Sequence, residues 1–204
     1  MKWDLRKIAG VLVFIGTAQF AVFGLLVAEA AYFKYSVSAN VISDLGVGPT
    51  SSIFNISIMI VGATLIVTPI LLRFTYLQGK FPRNWVPAIF AVAGAAAIGV
   101  GVFPETNRTS HGLFALLAFV FAAVSAIATF KVVRPPVNYL SAVLGAGSLA
   151  ALGLWATGTY LGLGIGGMER MIVYPVLVWG MTLGGYLMAA PEPVSPASMG
   201  SLQP

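Results

Sequence analysis

Cysteine and charge are what this chain of 204 residues lacks most. It contains no cysteine, which excludes disulfide bonds, thiol catalysis and cysteine-based metal sites. Charged residues make up 8% of the chain, against about 25% in soluble domains. So few charges cannot cover a soluble protein, and we expect lipid to surround most of the surface. The basic residues are scattered over short loops, so we predict no nucleic-acid partner.

Long hydrophobic runs account for most of the remaining sequence, which is 58% hydrophobic. A helix needs about 20 mostly apolar residues to span a bilayer. Six segments qualify, at roughly 8–32, 53–74, 85–103, 111–133, 137–160 and 169–189. The sequence therefore predicts an all-α, polytopic membrane protein, with a compact bundle of six transmembrane helices over residues 1–190. Residues 191–204 are rich in proline and serine and predict a disordered tail.

Small residues recur at four-residue spacing on two of these spans. They are Ala91, Ala95 and Gly99 on the third, and Ala142, Ala146 and Ala150 on the fifth. Because small side chains let helix backbones approach closely in lipid, these stripes favour a compact bundle over a wide aqueous pore. No internal repeat accompanies them, which weakens the case for an inverted-repeat transporter.

The distribution of lysine and arginine predicts the orientation in the cell membrane. Eight of these residues fall at the amino terminus and in the second and fourth loops, and three fall on the opposite side. Since cytoplasmic loops carry the excess of positive charge, we expect both termini to be cytoplasmic.

Three short loops hold three of the six acidic residues and the only histidine, and the charge bias predicts that all three are outside. They are Ser43–Gly46, Phe103–His111 and Gly166–Arg170. Three of the spans should present their amino-terminal ends to this face. Such ends carry partial positive charge and free N–H groups, so we expect a surface that attracts a lipid phosphate or a carboxylate.

Within these loops, His111 is the candidate general base, because a nearby arginine and a helix start favour its neutral form. Asp44 or Glu105 would orient it or act as a second acid; the alternative is that these carboxylates only cap helices. The candidate ligand-binding residues are Arg108, Glu169, Arg170, Asn55 and Ser43. No metal-ligand spacing accompanies the histidine, so we predict neither a metal nor another cofactor.

Several of these motifs together resemble a known family. The segments are Asn40–Gly46, Phe54 with Asn55, Gly101–Glu105, and the following His111. In these segments the chain resembles prokaryotic six-span membrane proteins catalogued as domain of unknown function nine-nine-eight. The resemblance extends to about Ala189 and implies a six-helix fold with no established activity.

Three functions are open at this point. The first is a binding or accessory protein whose outer polar face engages a membrane lipid headgroup, a small anion, a partner subunit or a second copy of the chain. The second is an outer-leaflet hydrolase or lipid-modifying enzyme that uses His111 with Asp44 or Glu105. The third is a small transporter. An enzyme requires His111 within hydrogen-bond reach of a carboxylate in an accessible cleft.

Overall fold

The computed structural model describes residues 4–75 and 85–189, and all regular structure in these ranges is helical. Six helices are long and apolar enough to cross a membrane, as the sequence predicts. They are α1 (Leu5–Ala31), α2 (Ser51–Thr75), α3 (Trp85–Val102), α4 (Arg108–Thr129), α5 (Val137–Ala156) and α6 (Gly164–Ala189). A 3₁₀ helix, Ile42–Gly46, lies between α1 and α2. The predicted tail, 191–204, lies outside the described residues.

Local sequence explains where two of these helices begin. The side chain of Asp4 accepts hydrogen bonds from the backbone N–H groups of Arg6 and Lys7 at the start of α1. At the start of α4, the side chain of Asn107 accepts the N–H of Ser110. These side chains satisfy donors that the first helical turn leaves without an intrahelical partner.

The six helices form a closed ring in chain order. Each helix packs against the next one in sequence, and α6 returns to pack along α1; α4 also touches α6 across the ring. Short connections make sequential helices antiparallel, so residues 32–50, 103–107 and 157–163 connect helices at one end of the bundle. We call this the motif end, because the three polar loops lie there.

Close approach between helices depends on glycine where α2 meets α3. A Cβ at Gly62 would overlap the carbonyl oxygen of Gly94, and a Cβ at Gly94 would overlap that of Gly62. A polar contact joins α1 to α2 as well, since the Gln19 amide donates to the Ser57 carbonyl oxygen at 2.8 Å. These contacts hold α2 between its neighbours with little space for larger side chains.

The stripes of small residues coincide only in part with the buried helix faces, although Gly99 is buried. Ala95, Ala146 and Ala150 are exposed. The buried face of α3 instead includes Ala93, Gly94, Ala96 and Ala97, and that of α5 includes Ser141, Gly145 and Ser148. Small residues of α3 occupy all of its faces, so their spacing alone does not identify the face that packs against other helices.

Candidate functional site

The loop between α1 and α2 lies directly on the beginning of α6. The N–H of Gly166 donates to the Ser38 carbonyl oxygen at 3.0 Å, and the Ser38 hydroxyl donates to the Leu163 carbonyl oxygen at 2.8 Å. A Cβ at Gly166 would overlap the carbonyl oxygen of Asn40. Glycine is therefore required at position 166 for the loop to reach this helix.

Arg170 on α6 binds the same loop and is 3% exposed. Its guanidinium donates to Glu29 Oε1 at 2.6 and 3.1 Å and to the Tyr35 hydroxyl at 2.7 Å. It also donates to the carbonyl oxygens of Val37, Asn40 and Gly166. All three guanidinium nitrogens therefore have protein partners, so Arg170 acts as a structural ion pair with Glu29 and holds the loop.

Tyr35 completes this arrangement outside the helices. Its hydroxyl accepts from Arg170 and donates to the Val41 carbonyl oxygen at 2.8 Å. Burial raises the pKa of Tyr35 to about 12, although the neighbouring Arg170 charge opposes the shift. The phenol therefore stays protonated and keeps donating to the loop.

Glu169 lies one position before Arg170 and is 5% exposed. The helix begins at Gly164, so this residue lies within the second turn rather than at the helix opening that the sequence predicted. One carboxylate oxygen, Oε2, accepts the backbone N–H of Ile42 in the 3₁₀ helix. No hydrogen bond in the described part of the chain engages the other oxygen, Oε1.

His111 lies in the first turn of α4 and is 6% exposed. Its Nδ1 lies 2.8 Å from the Phe103 carbonyl oxygen. A carbonyl oxygen can only accept, so Nδ1 carries the proton in this contact, and in the neutral imidazole Nε2 keeps its lone pair. The histidine is thus oriented by the backbone, and its second nitrogen makes no hydrogen bond within residues 4–75 and 85–189.

Ser43, His111 and Glu169 share a cavity of about 90 Å³ inside the ring. Apart from these three side chains the lining is apolar, and it comes mainly from α2, α3, α4 and α6. It includes Phe20, Phe54, Ile58, Val61, Leu65, Ala93, Ala97, Ala118, Phe119, Val173 and Leu177. Along α4 the lining runs from His111 to Ala122, about 16 Å at 1.5 Å per residue. The cavity therefore joins the polar motif end to the hydrocarbon interior.

The other candidate residues lie around the cavity rather than on it. The Asp44 carboxylate accepts from the Asn40 amide at 2.9 Å. Asn55 donates to the Gly46 carbonyl oxygen at 3.1 Å. Glu105 is partly exposed, yet its Oε2 is buried with no hydrogen-bond partner. Arg108 is exposed, and no ion pair within the described ranges involves it.

This arrangement does not form the catalytic pair that the enzyme hypothesis requires. Among the residues that the structure describes, no hydrogen bond joins His111 to Asp44, Glu105 or Glu169. The Phe103 carbonyl occupies the position that an orienting carboxylate would take. The catalytic assignment of these residues stays a prediction.

The helix amino termini also differ from the three free anion-binding sites that the sequence predicts. The Ser38 carbonyl oxygen in the loop accepts a hydrogen bond from an N–H of α6, and the Asn107 side chain accepts one from an N–H of α4. Donors that would attract an anion are therefore partly used by the protein itself.

Sequence reasoning missed the pairing of Glu29 with Arg170 and the part played by Tyr35. A signal for the ion pair was available, because charged residues within membrane spans usually pair with one another. The apolar lining gave no such signal, since its residues resemble the lipid-facing ones in composition.

Fold and site together define a polytopic helical membrane protein with an internal apolar cavity and a polar end. A family model described as "Protein of unknown function (DUF998)" matches residues 10–186, so the chain belongs to this family. Searches of curated proteins and of solved structures gave no match.

Proposed function

We propose that this protein binds a membrane lipid by taking one hydrocarbon chain into the cavity, with the polar headgroup at Ser43, His111 and Glu169. The observation that carries the proposal is the cavity itself, which is apolar along its length and polar at the motif end. Its length of about 16 Å is roughly half of the 30 Å hydrocarbon thickness of a bilayer. In length, the lining therefore matches a hydrocarbon chain that spans one leaflet.

Selection by such a site depends on fit and on the headgroup. A hydrocarbon chain that enters the cavity moves from apolar lipid to an apolar protein lining, so the hydrophobic effect supplies little driving force. Close packing against the lining and hydrogen bonds at the motif end must supply the difference. The charge bias of the loops predicts that the motif end is outside, so we propose that the lipid enters from the outer leaflet.

The lipid-modifying and partner-binding hypotheses receive less support from the same geometry. Within residues 4–75 and 85–189 no carboxylate forms a hydrogen bond with His111, and Arg170, which a partner subunit could otherwise meet, is paired with Glu29. A binding role needs neither, because an oriented imidazole and a carboxylate suffice to hold a headgroup.

Filling the cavity tests this proposal. Ala97 lines the cavity on α3, whereas Ala95 lies exposed on the same helix. We expect Ala97→Leu to abolish the thermal stabilisation that monomyristoylglycerol gives to the delipidated protein in detergent, while Ala95→Leu keeps it. Ala118→Leu blocks the cavity from α4 and provides a second variant in case one of them folds poorly. Equal stabilisation of the parent and both cavity variants would refute the proposal.

A further inference from the structure

We infer that the cavity selects lipids whose headgroup donates hydrogen bonds, through hydroxyl or ammonium groups, and discriminates against phosphate and carboxylate headgroups. This inference rests on the proposed function and adds the chemistry of the ligand. It reverses the anion preference that the positions of the loops suggest in the sequence.

The polar groups that line the cavity at the motif end chiefly accept hydrogen bonds. The neutral imidazole of His111 offers Nε2 as an acceptor, because Nδ1 donates to the Phe103 carbonyl oxygen. In its ionised form Glu169 offers Oε1 as an acceptor, because Oε2 is engaged by the Ile42 N–H. Both side chains are more than nine-tenths buried and line the cavity. Ser43 adds a hydroxyl, which can serve as donor or acceptor.

The strong donor nearest to these groups is already used. Arg170 directs all its nitrogens at Glu29, Tyr35 and backbone carbonyl oxygens. Arg108 is exposed at the start of α4 and does not line the cavity. A phosphate at the mouth would therefore meet acceptors and lose hydration without gaining a charged donor.

Nearby charge acts in the same direction. The Arg170 charge and the carboxylates of Glu105 and Asp44 all interact electrostatically with Glu169. Arg170 is balanced by its ion pair with Glu29. An anionic headgroup would add a further negative charge to this group, whereas an ammonium group would offset one.

Four ligands that share the same chain separate these possibilities. Monomyristoylglycerol offers hydroxyl donors, tetradecylamine offers an ammonium, tetradecyl phosphate offers a phosphate without a glycerol hydroxyl, and methyl myristate has no donor. We expect the first two, or one of them, to bind the parent protein about tenfold or more tightly than the last two. Equilibrium titration in detergent, followed by native mass spectrometry, measures the order.

The Glu169→Gln variant identifies the donor class, since an amide oxygen can still accept the Ile42 N–H. A specific loss of tetradecylamine binding supports an ammonium ligand, and an equal loss for both donor ligands supports a shared carboxylate contact. If all four ligands bind the parent equally, the cavity binds chains and the headgroup inference is wrong. If tetradecyl phosphate binds most tightly and Arg108→Gln removes that binding, the inference is also overturned. If no ligand binds, the proposed function itself fails.

Discussion

Removing the guanidinium of Arg170 should destabilise the protein more than any single surface change at the motif end. Arg170→Met keeps a long apolar stem but leaves the Glu29 carboxylate without its partner, and Glu29 is 12% exposed. Breaking a buried ion pair by removing one partner costs about 3–5 kcal/mol. For a chain of this length, each kcal/mol lowers the melting temperature by about 2–4 °C, so we expect a fall of about 6–20 °C.

Thermal unfolding of the delipidated protein, followed by tryptophan fluorescence, provides the assay. Arg108→Met is the matched control, since Arg108 is exposed at the same end and its loss should change stability by less than about 0.5 kcal/mol. In a Glu29→Gln background, Arg170→Met should cost less, because the charge that it would leave unpaired is gone. An Arg170→Met protein that melts with the parent would refute the structural role of this ion pair.

Three further results follow from the same structure. Gly166→Ala should lower the free energy of unfolding by about 1–3 kcal/mol and expose residues 36–41 to protease, because the added Cβ overlaps the Asn40 carbonyl oxygen. Gly112→Ala is the control and should do neither, because the space around Gly112 is open. Raising the pH from 10 to 12 should lower the free energy of unfolding, because Tyr35 stays protonated when folded and ionises when unfolded; Tyr35→Phe should reduce that fall. A cysteine introduced at position 107 should be labelled only from outside the cell, and one at position 2 only from the cytoplasm. The reverse labelling pattern would contradict the predicted topology.

The site was predictable as a region and not as a set of contacts. Polar residues in an apolar chain pointed to Ser43, His111 and Glu169, and all three line one cavity. Arg170 was expected to hold a ligand, but its donors point at Glu29 and the loop. Sequence spacing cannot reveal this, because these partners lie 141 residues apart in the chain.

Composition by itself determined that the protein is a helical bundle with six membrane spans. Few charges and six long apolar runs leave no other way to satisfy the backbone in lipid. Only the tertiary structure decided which faces of those helices pack, since lipid and a membrane-protein interior are both apolar and the sequence does not distinguish them. The closure of α6 onto α1, the loop held by Arg170, and the cavity between α2, α3, α4 and α6 all result from that packing.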